Sequence, residues 1–154
     1  MPAILRLVLI SLAWVTLQIG SGFIAGKLKR SLFTHESFVF RSRRWERGGE
    51  FYERVFGIRR WKELLPEAGG MFKGGFAKRA IGGRSPDRLG SFIAETRRAE
   101  FSHWLVVLLS FTFFAWNPPH VALWMPIIGF LGNAPFIMVQ RHLRPRLQRL
   151  AQRL

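Results

Sequence analysis

LVLISLAWVTLQIGSGFIAG, residues 7–26, decides the fold, because it carries no charged side chain over 20 positions. As a helix rising about 1.5 Å per residue it reaches roughly 30 Å, the thickness of a bilayer's hydrocarbon core. The stretch reads as a membrane crossing over about residues 5–26. A cleaved secretory signal is the alternative. Against it, only Arg6 precedes the run, and the run exceeds the roughly 7 to 15 apolar residues of a signal.

Two more apolar runs follow. Phe101 to Trp116 is short, but it extends backwards through a helical pattern that begins at Ser85-Pro86, an N-cap followed by proline at the first helical position. Asn117-Pro118-Pro119 must end that helix, since proline lacks the amide donor and disfavours helical geometry in the residue before it. Val121 to Val139 is uncharged again, although Pro126, Gly129, Gly132, Asn133 and Pro135 interrupt it. Such breaks are tolerated where neighbouring helices satisfy the freed carbonyls. The expected fold is an all-α integral membrane protein in a single domain. It has about three transmembrane helices, near 5–26, 99–116 and 120–139, plus an interfacial amphipathic helix.

Charge is segregated from these runs. The 154 residues include 24 Lys and Arg against 9 Asp and Glu, a net charge of +15, while 49% of the chain is hydrophobic. That apolar share excludes a disordered basic tail. The segment 27–98 carries most of the basic residues, and Arg141, Arg144, Arg146, Arg149 and Arg153 follow in an acid-free tail, 140–154. The positive-inside rule then predicts a multi-pass protein of the cell (inner) membrane with a cytoplasmic C-terminus, the N-terminus and the Pro-Pro turn lying outside. Basic residues beside the spans read as contacts to anionic membrane lipid, and no nucleic-acid partner is needed to explain them. No cysteine is present, which excludes disulfides, thiolate metal sites and a cysteine nucleophile.

Within 27–98, Phe51, Val55, Ile58 and Leu65 recur at helical spacing with Arg54, Arg59, Arg60 and Lys62 on the other side. This predicts an amphipathic helix in the interface anchored by Trp45 and Trp61, or one packed against the spans. The glycine-rich stretch at 69–83 lacks the G-K-[ST] ending of a P-loop and reads as a loop, with a phosphate nest as the lesser alternative.

Chemistry concentrates in Glu95-Thr96-Arg97-Arg98-Ala99-Glu100-Phe101-Ser102-His103-Trp104. Glu100 and His103 lie three apart and share a helix face, so the carboxylate is expected to orient the imidazole as a general base. The competing reading is a helix-end pair that only anchors the span. A second group, Asn133, Gln140, Arg141, Arg144 and Arg146, sits at the end of the third run. Arginines there suit carboxylate or phosphate, or simply anchor the helix, and an amide inside the span must find a partner. His35, His120 and His142 are expected at the surface or interface. A lone aspartate, Asp87, excludes a His-x-x-x-x-Asp acyltransferase motif, and neither G-x-S-x-G nor H-E-x-x-H occurs. No metal site is expected, and any acyl transfer would be direct from donor to acceptor.

Three patterns resemble one family: Glu-Thr-x-Arg-Ala-Glu-x-x-His-Trp over 95–104, Asn-x-Pro-x-x-x-Val-Gln-Arg-x-x-Arg-Pro-Arg-Leu over 133–147, and Glu46-x-x-Gly-x-Phe with Phe56, Arg59, Trp61 and Lys62. They are similar to the glycosyl-diaponeurosporenoate acyltransferases, small membrane proteins that complete staphyloxanthin-type carotenoid synthesis. The resemblance implies transfer of a fatty acyl group to a primary sugar hydroxyl of a glycosylated carotenoid acid. Acyl coenzyme A is the expected co-substrate, and no further cofactor is expected. His103 and Glu100 are then expected to be catalytic, with Glu95, Arg98, Asn133, Gln140, Arg141, Arg144 and Arg146 binding the substrates. The alternatives are another glycolipid acceptor, or a non-catalytic scaffold subunit of a lipid-pathway complex.

Overall fold

The computed structural model describes residues 2–65 and 85–153. Every regular element among them is helical. Helix α1 (Ala3–Lys27) leads through a 3-10 turn, Arg30–Phe33, to a second one, Arg44–Gly49. Two short helices follow, α2 (Glu50–Phe56) and α3 (Ile58–Trp61). Helix α4 (Pro86–Leu109) continues as a 3-10 turn, Ser110–Ala115, before the short α5 (Pro119–Ala122) and the long α6 (Trp124–Ala151).

Ser85 caps α4 as the sequence predicts, its Oγ accepting from the Arg88 amide at 3.4 Å. The long helices α1, α4 and α6 form the frame. Trp14 meets Phe113 (centroids 5.2 Å apart) while Phe33, past the end of α1, packs with Ala94, so α1 and α4 run antiparallel. His103 opposite Asn133 and Thr96 opposite Arg144 make α4 and α6 antiparallel as well. The charged ends of all three therefore lie together, and the Pro-Pro turn lies at the far end.

Helix α1 is built inside out relative to a soluble helix. Its buried positions are Ser21 and Ala25, while Ile4, Leu7, Leu12, Val15 and Ile19 are exposed. Leu123, Trp124, Ile127, Ile128 and Leu131 likewise face outward on α6. Small residues inside and large apolar residues outside are the pattern of helices packed in lipid. Among the described residues, two helical stretches, Ala3–Lys27 and Pro119–Ala151, are long and apolar enough to cross a membrane. The crossing expected at 99–116 is divided between the end of α4 and the Ser110–Ala115 turn.

Two expectations are corrected. The amphipathic helix expected over 51–65 breaks at Gly57, which has φ +57. Tyr52 and Ile58 then fold onto Val139 of α6, so the helix is not continuous, while its apolar face takes the second of the two expected placements, packed against the spans. The tail after Val139 is not a separate element, because α6 runs on to Ala151 and builds a core there from Leu147, Leu89 and Phe92. The glycine-rich stretch at 69–83 lies outside the described residues.

Candidate active site

Helix spacing decides which side chains α4 offers to α6. Thr96, Glu100 and His103 lie on one face of α4, and Asn133, Gln140 and Arg144 on one face of α6. The antiparallel pairing sets His103 against Asn133 at the apolar end, and Glu100 and Thr96 against Arg144 at the charged end.

At the apolar end, His103 Nδ1 lies 2.8 Å from Asn133 Oδ1. The Asn133 amide donates from Nδ2 to the Gly129 carbonyl at 2.8 Å, so its oxygen must be the atom facing the ring. His103 Nδ1 accordingly carries the proton, and Nε2 keeps a lone pair. The ring stacks on Phe136 with centroids 4.6 Å apart and an 18° interplanar angle, which fixes its plane. Trp104 and Phe130 form a partly exposed aromatic pair alongside, 6.2 Å apart. A neutral imidazole oriented through Nδ1 by an amide is competent as a general base at Nε2; Asn serves in the same way in Cys-His-Asn sites.

Glu100 does not orient that ring, contrary to expectation. It is fully buried, and its oxygens go to Arg144 (Nη2, 2.5 Å), Arg141 (Nε, 3.3 Å) and the Trp104 indole (3.3 Å). Sharing a face three residues apart placed the carboxylate near the helix partner, where arginines outcompete a neutral imidazole for it. The Arg144 guanidinium also donates to Thr96 Oγ1 at 2.9 Å, to the Phe40 carbonyl at 2.8 Å and to the Thr96 carbonyl at 3.2 Å. Arg141 Nε also reaches Glu46 Oε1 at 3.2 Å. Glu46 in turn accepts from the Tyr52 hydroxyl and the Arg43 amide, both at 2.5 Å. Burial, then the Glu46 carboxylate, push the Tyr52 phenol well above its usual range, so it stays a donor.

The result is a neutral cluster of two carboxylates and two guanidiniums, which ties the Arg44–Gly49 turn, α4 and α6 together. Buried charges persist when paired and hydrogen-bonded in this way. Arg141 Nη1 is the exception, buried with no partner among the described residues.

The remaining expected residues fall elsewhere. Glu95 and Arg98 pair with each other at 2.9 Å, and Arg98 lies over the Phe33 ring, beside the Arg30–Phe33 turn. Burial raises the Glu95 carboxyl, with Arg98 and Arg30 acting against it. Gln140 is half-buried on the Asn133 face. Arg146 points away from α4, toward Arg59 and Glu53. His35 and His120 are exposed as expected, but His142 is buried at 2% exposure and hydrogen-bonds through Nδ1 to the Gly49 carbonyl at 2.8 Å. Its burial follows from the Arg47-Gly48-Gly49 turn, whose three positive φ values (48°, 62° and 89°) bring the backbone onto α6. Glu46 and Tyr52 were not expected in the site. The available signals for Glu46 were its place in the Glu46-x-x-Gly-x-Phe pattern and its being a single acid inside the basic run Arg41–Arg47. Among the described residues, no group of three His, Asp or Glu could hold a metal ion.

An all-helical chain whose two long apolar helices turn large apolar residues outward has the build of a small membrane-associated protein. The sequence model of the glycosyl-4,4'-diaponeurosporenoate acyltransferase family matches residues 36–153, and the chain belongs to that family. It is similar to the glycosyl-4,4'-diaponeurosporenoate acyltransferase of Staphylococcus aureus strain MRSA252, 28% identical over 141 residues, covering 91% of this chain and 84% of the relative. The protein of the same name from strain bovine RF122 / ET3-1 is 27% identical over the same shares. No solved structure matches the chain. The enzyme class that the family gives is acyltransferase.

Proposed function

We propose that this chain moves a fatty acyl group from an acyl coenzyme A thioester to a sugar hydroxyl of a glycosylated carotenoid acid, the acceptor class in the names of its relatives. The observation that carries the reading is the His103 and Asn133 pair, which leaves a lone pair on Nε2 where the charged half of α4 gives way to its apolar half. His103 Nε2 takes the hydroxyl proton as the sugar oxygen attacks the thioester carbonyl. The tetrahedral intermediate then collapses, the carbon–sulfur bond breaks, and the imidazolium returns its proton to the leaving thiolate. Both substrates have long apolar chains, which the lipid-facing surfaces beside Trp104 and Phe130 accommodate while the reacting heads meet at His103, where the apolar half of α4 adjoins its charged half. Arg141 Nη1, which has no partner among the described residues, and the Gln140 amide would donate to sugar or carbonyl oxygens. Glu100 and Arg144 act indirectly, by holding α4 against α6.

In this reading the protein crosses the cell membrane three times, with its charged end and C-terminus in the cytoplasm, where the donor is made. Reporter fusions at the C-terminus should be active on the cytoplasmic side only. Membranes containing the chain, given a glycosylated carotenoid acid and a long-chain acyl coenzyme A, should form the sugar ester, detected by mass spectrometry. Absence of ester with the chain folded and inserted would overturn the reading.

A further inference from the structure

Beyond the last uncharged run, α6 carries a histidine and two arginines that the buried cluster leaves unused. His142, Arg146 and Arg149 stand at i, i+4 and i+7, one face of the helix, turned away from α4 toward the Arg44–Gly49 turn and α2. Arg149 is seated on that turn: a Cβ on Gly48, whose φ is +62, would lie 2.6 Å from its Nη1. A glycine there lets the guanidinium rest on the backbone. Arg146 is half-buried and lies in the field of Arg59, Glu53, Arg149 and Glu50.

The acids nearby are committed or peripheral. Glu53 accepts from the Arg59 amide at 3.0 Å and lies 4.0 Å from its Nε, while Lys62 pairs with Glu63 at 3.3 Å. Glu50 is exposed. Arg146 and Arg149 have no ion-pair partner among the described residues. Beside them, His142 Nε2 is buried without a partner among the described residues, in the field of Arg146, Glu53 and Lys62.

We propose that Arg146 and Arg149, with Arg59 beside them, bind a phosphoryl group of a water-soluble ligand, the ion-pair partner that neither arginine of α6 has among the described residues. Guanidiniums match phosphate oxygens with paired hydrogen bonds, and a protonated phosphate oxygen can donate to the His142 nitrogen. Depth favours a soluble source. The two arginines stand seven and ten residues beyond Val139, about 10 and 15 Å along the axis of α6, whereas each headgroup layer is only about 5–7 Å thick. Of the arginines expected from sequence to bind a carboxylate or phosphate, Arg141 and Arg144 are taken up by Glu46 and Glu100, which leaves Arg146, on the opposite face of the same helix, with Arg149 beside it. In taking the ligand to be the acyl donor the inference rests on the acyl-transfer reading.

The test uses the full chain in phosphatidylcholine nanodiscs, titrated with coenzyme A by calorimetry, with and without phosphatidylglycerol in the disc. The double variant Arg146→Gln/Arg149→Gln should weaken coenzyme A binding at least tenfold. The control Lys27→Gln/Lys29→Gln, which removes two exposed cations at the end of α1, should leave it within twofold. Arg146→Lys/Arg149→Lys should recover most of the loss, and circular dichroism verifies folding throughout. His142→Asn keeps a donor for the Gly49 carbonyl and removes Nε2; a threefold or larger loss is expected. Binding that survives the double variant, or that falls equally in the control, overturns the proposal. So does a loss confined to phosphatidylglycerol retention, read by native mass spectrometry, which assigns the face to lipid headgroups. Binding needs no turnover, so a chain that binds coenzyme A through these arginines yet makes no ester refutes the acyl-transfer reading and leaves the phosphoryl site standing.

Discussion

Replacing Arg144 by lysine keeps a positive charge opposite Glu100 and removes the fork that joins three parts of the chain. The guanidinium donates to Thr96 Oγ1 and the Thr96 carbonyl on α4, to Glu100, and to the Phe40 carbonyl ahead of the Arg44–Gly49 turn. An ammonium on a shorter reach can keep Glu100 and one neighbour. At least two bonds from a charged donor are lost, and such bonds contribute about 1.5–3 kcal/mol each, so Arg144→Lys should destabilise the fold by about 3 kcal/mol or more. Arg144→Met, which leaves a buried carboxylate short of a partner, should cost about 3–5 kcal/mol. The double variant Glu100→Leu/Arg144→Met should cost less than the sum of its singles, because Arg141 and Glu46 can still pair with each other. The assay is denaturant unfolding of the full chain in detergent micelles, followed by circular dichroism. An Arg144→Lys variant within about 0.5 kcal/mol of the parent, with KM for a substrate raised instead, would show that Arg144 grips substrate and does not hold the fold.

Asn133→Ala should release the His103 ring and its tautomer, lowering kcat by about 100-fold or more at little cost in KM. Asn133→Asp keeps an acceptor and adds a negative charge that favours the imidazolium, so it should retain more activity than alanine and move the acid limb of the kcat/KM profile to higher pH. An unchanged profile in both would remove Asn133 from the mechanism. Gly49→Ala meets two obstacles at once, a φ of +89 and a Cβ 2.7 Å from the His142 carbonyl. It should destabilise the chain by about 1–3 kcal/mol, read as a lower thermal midpoint, and a neutral result would contradict the packing of that turn on α6.

The membrane-facing character of this fold was legible because it is written locally. Residues 7–26 need only their length and lack of charge, and Ser85-Pro86 announces the start of α4 without reference to anything else. The break at Gly57 was hidden, since the periodicity of Phe51, Val55 and Ile58 continues through it and only the packing of Tyr52 and Ile58 on Val139 demands the turn. The site was half legible for the same reason. Spacing marked the α4 face that carries Glu100 and His103, and the amide of Asn133 demanded a partner; which group meets which was decided across helices. A carboxylate beside two guanidiniums binds them and leaves the imidazole to the amide. Glu46 and Tyr52 reach the cluster only through tertiary folding, so the Glu46-x-x-Gly-x-Phe pattern marked Glu46 without revealing its partners, and nothing local marked Tyr52.

The central claim is that His103, held by Asn133, takes the proton from the acceptor hydroxyl. It is tested most directly by measuring ester formation from a glycosylated carotenoid acid and a long-chain acyl coenzyme A in membranes carrying either the parent chain or His103→Ala, at matched levels of folded protein. The account predicts ester from the parent chain and a loss of at least 100-fold in initial rate for the variant. A His103→Ala protein that turns over within a few-fold of the parent would contradict it.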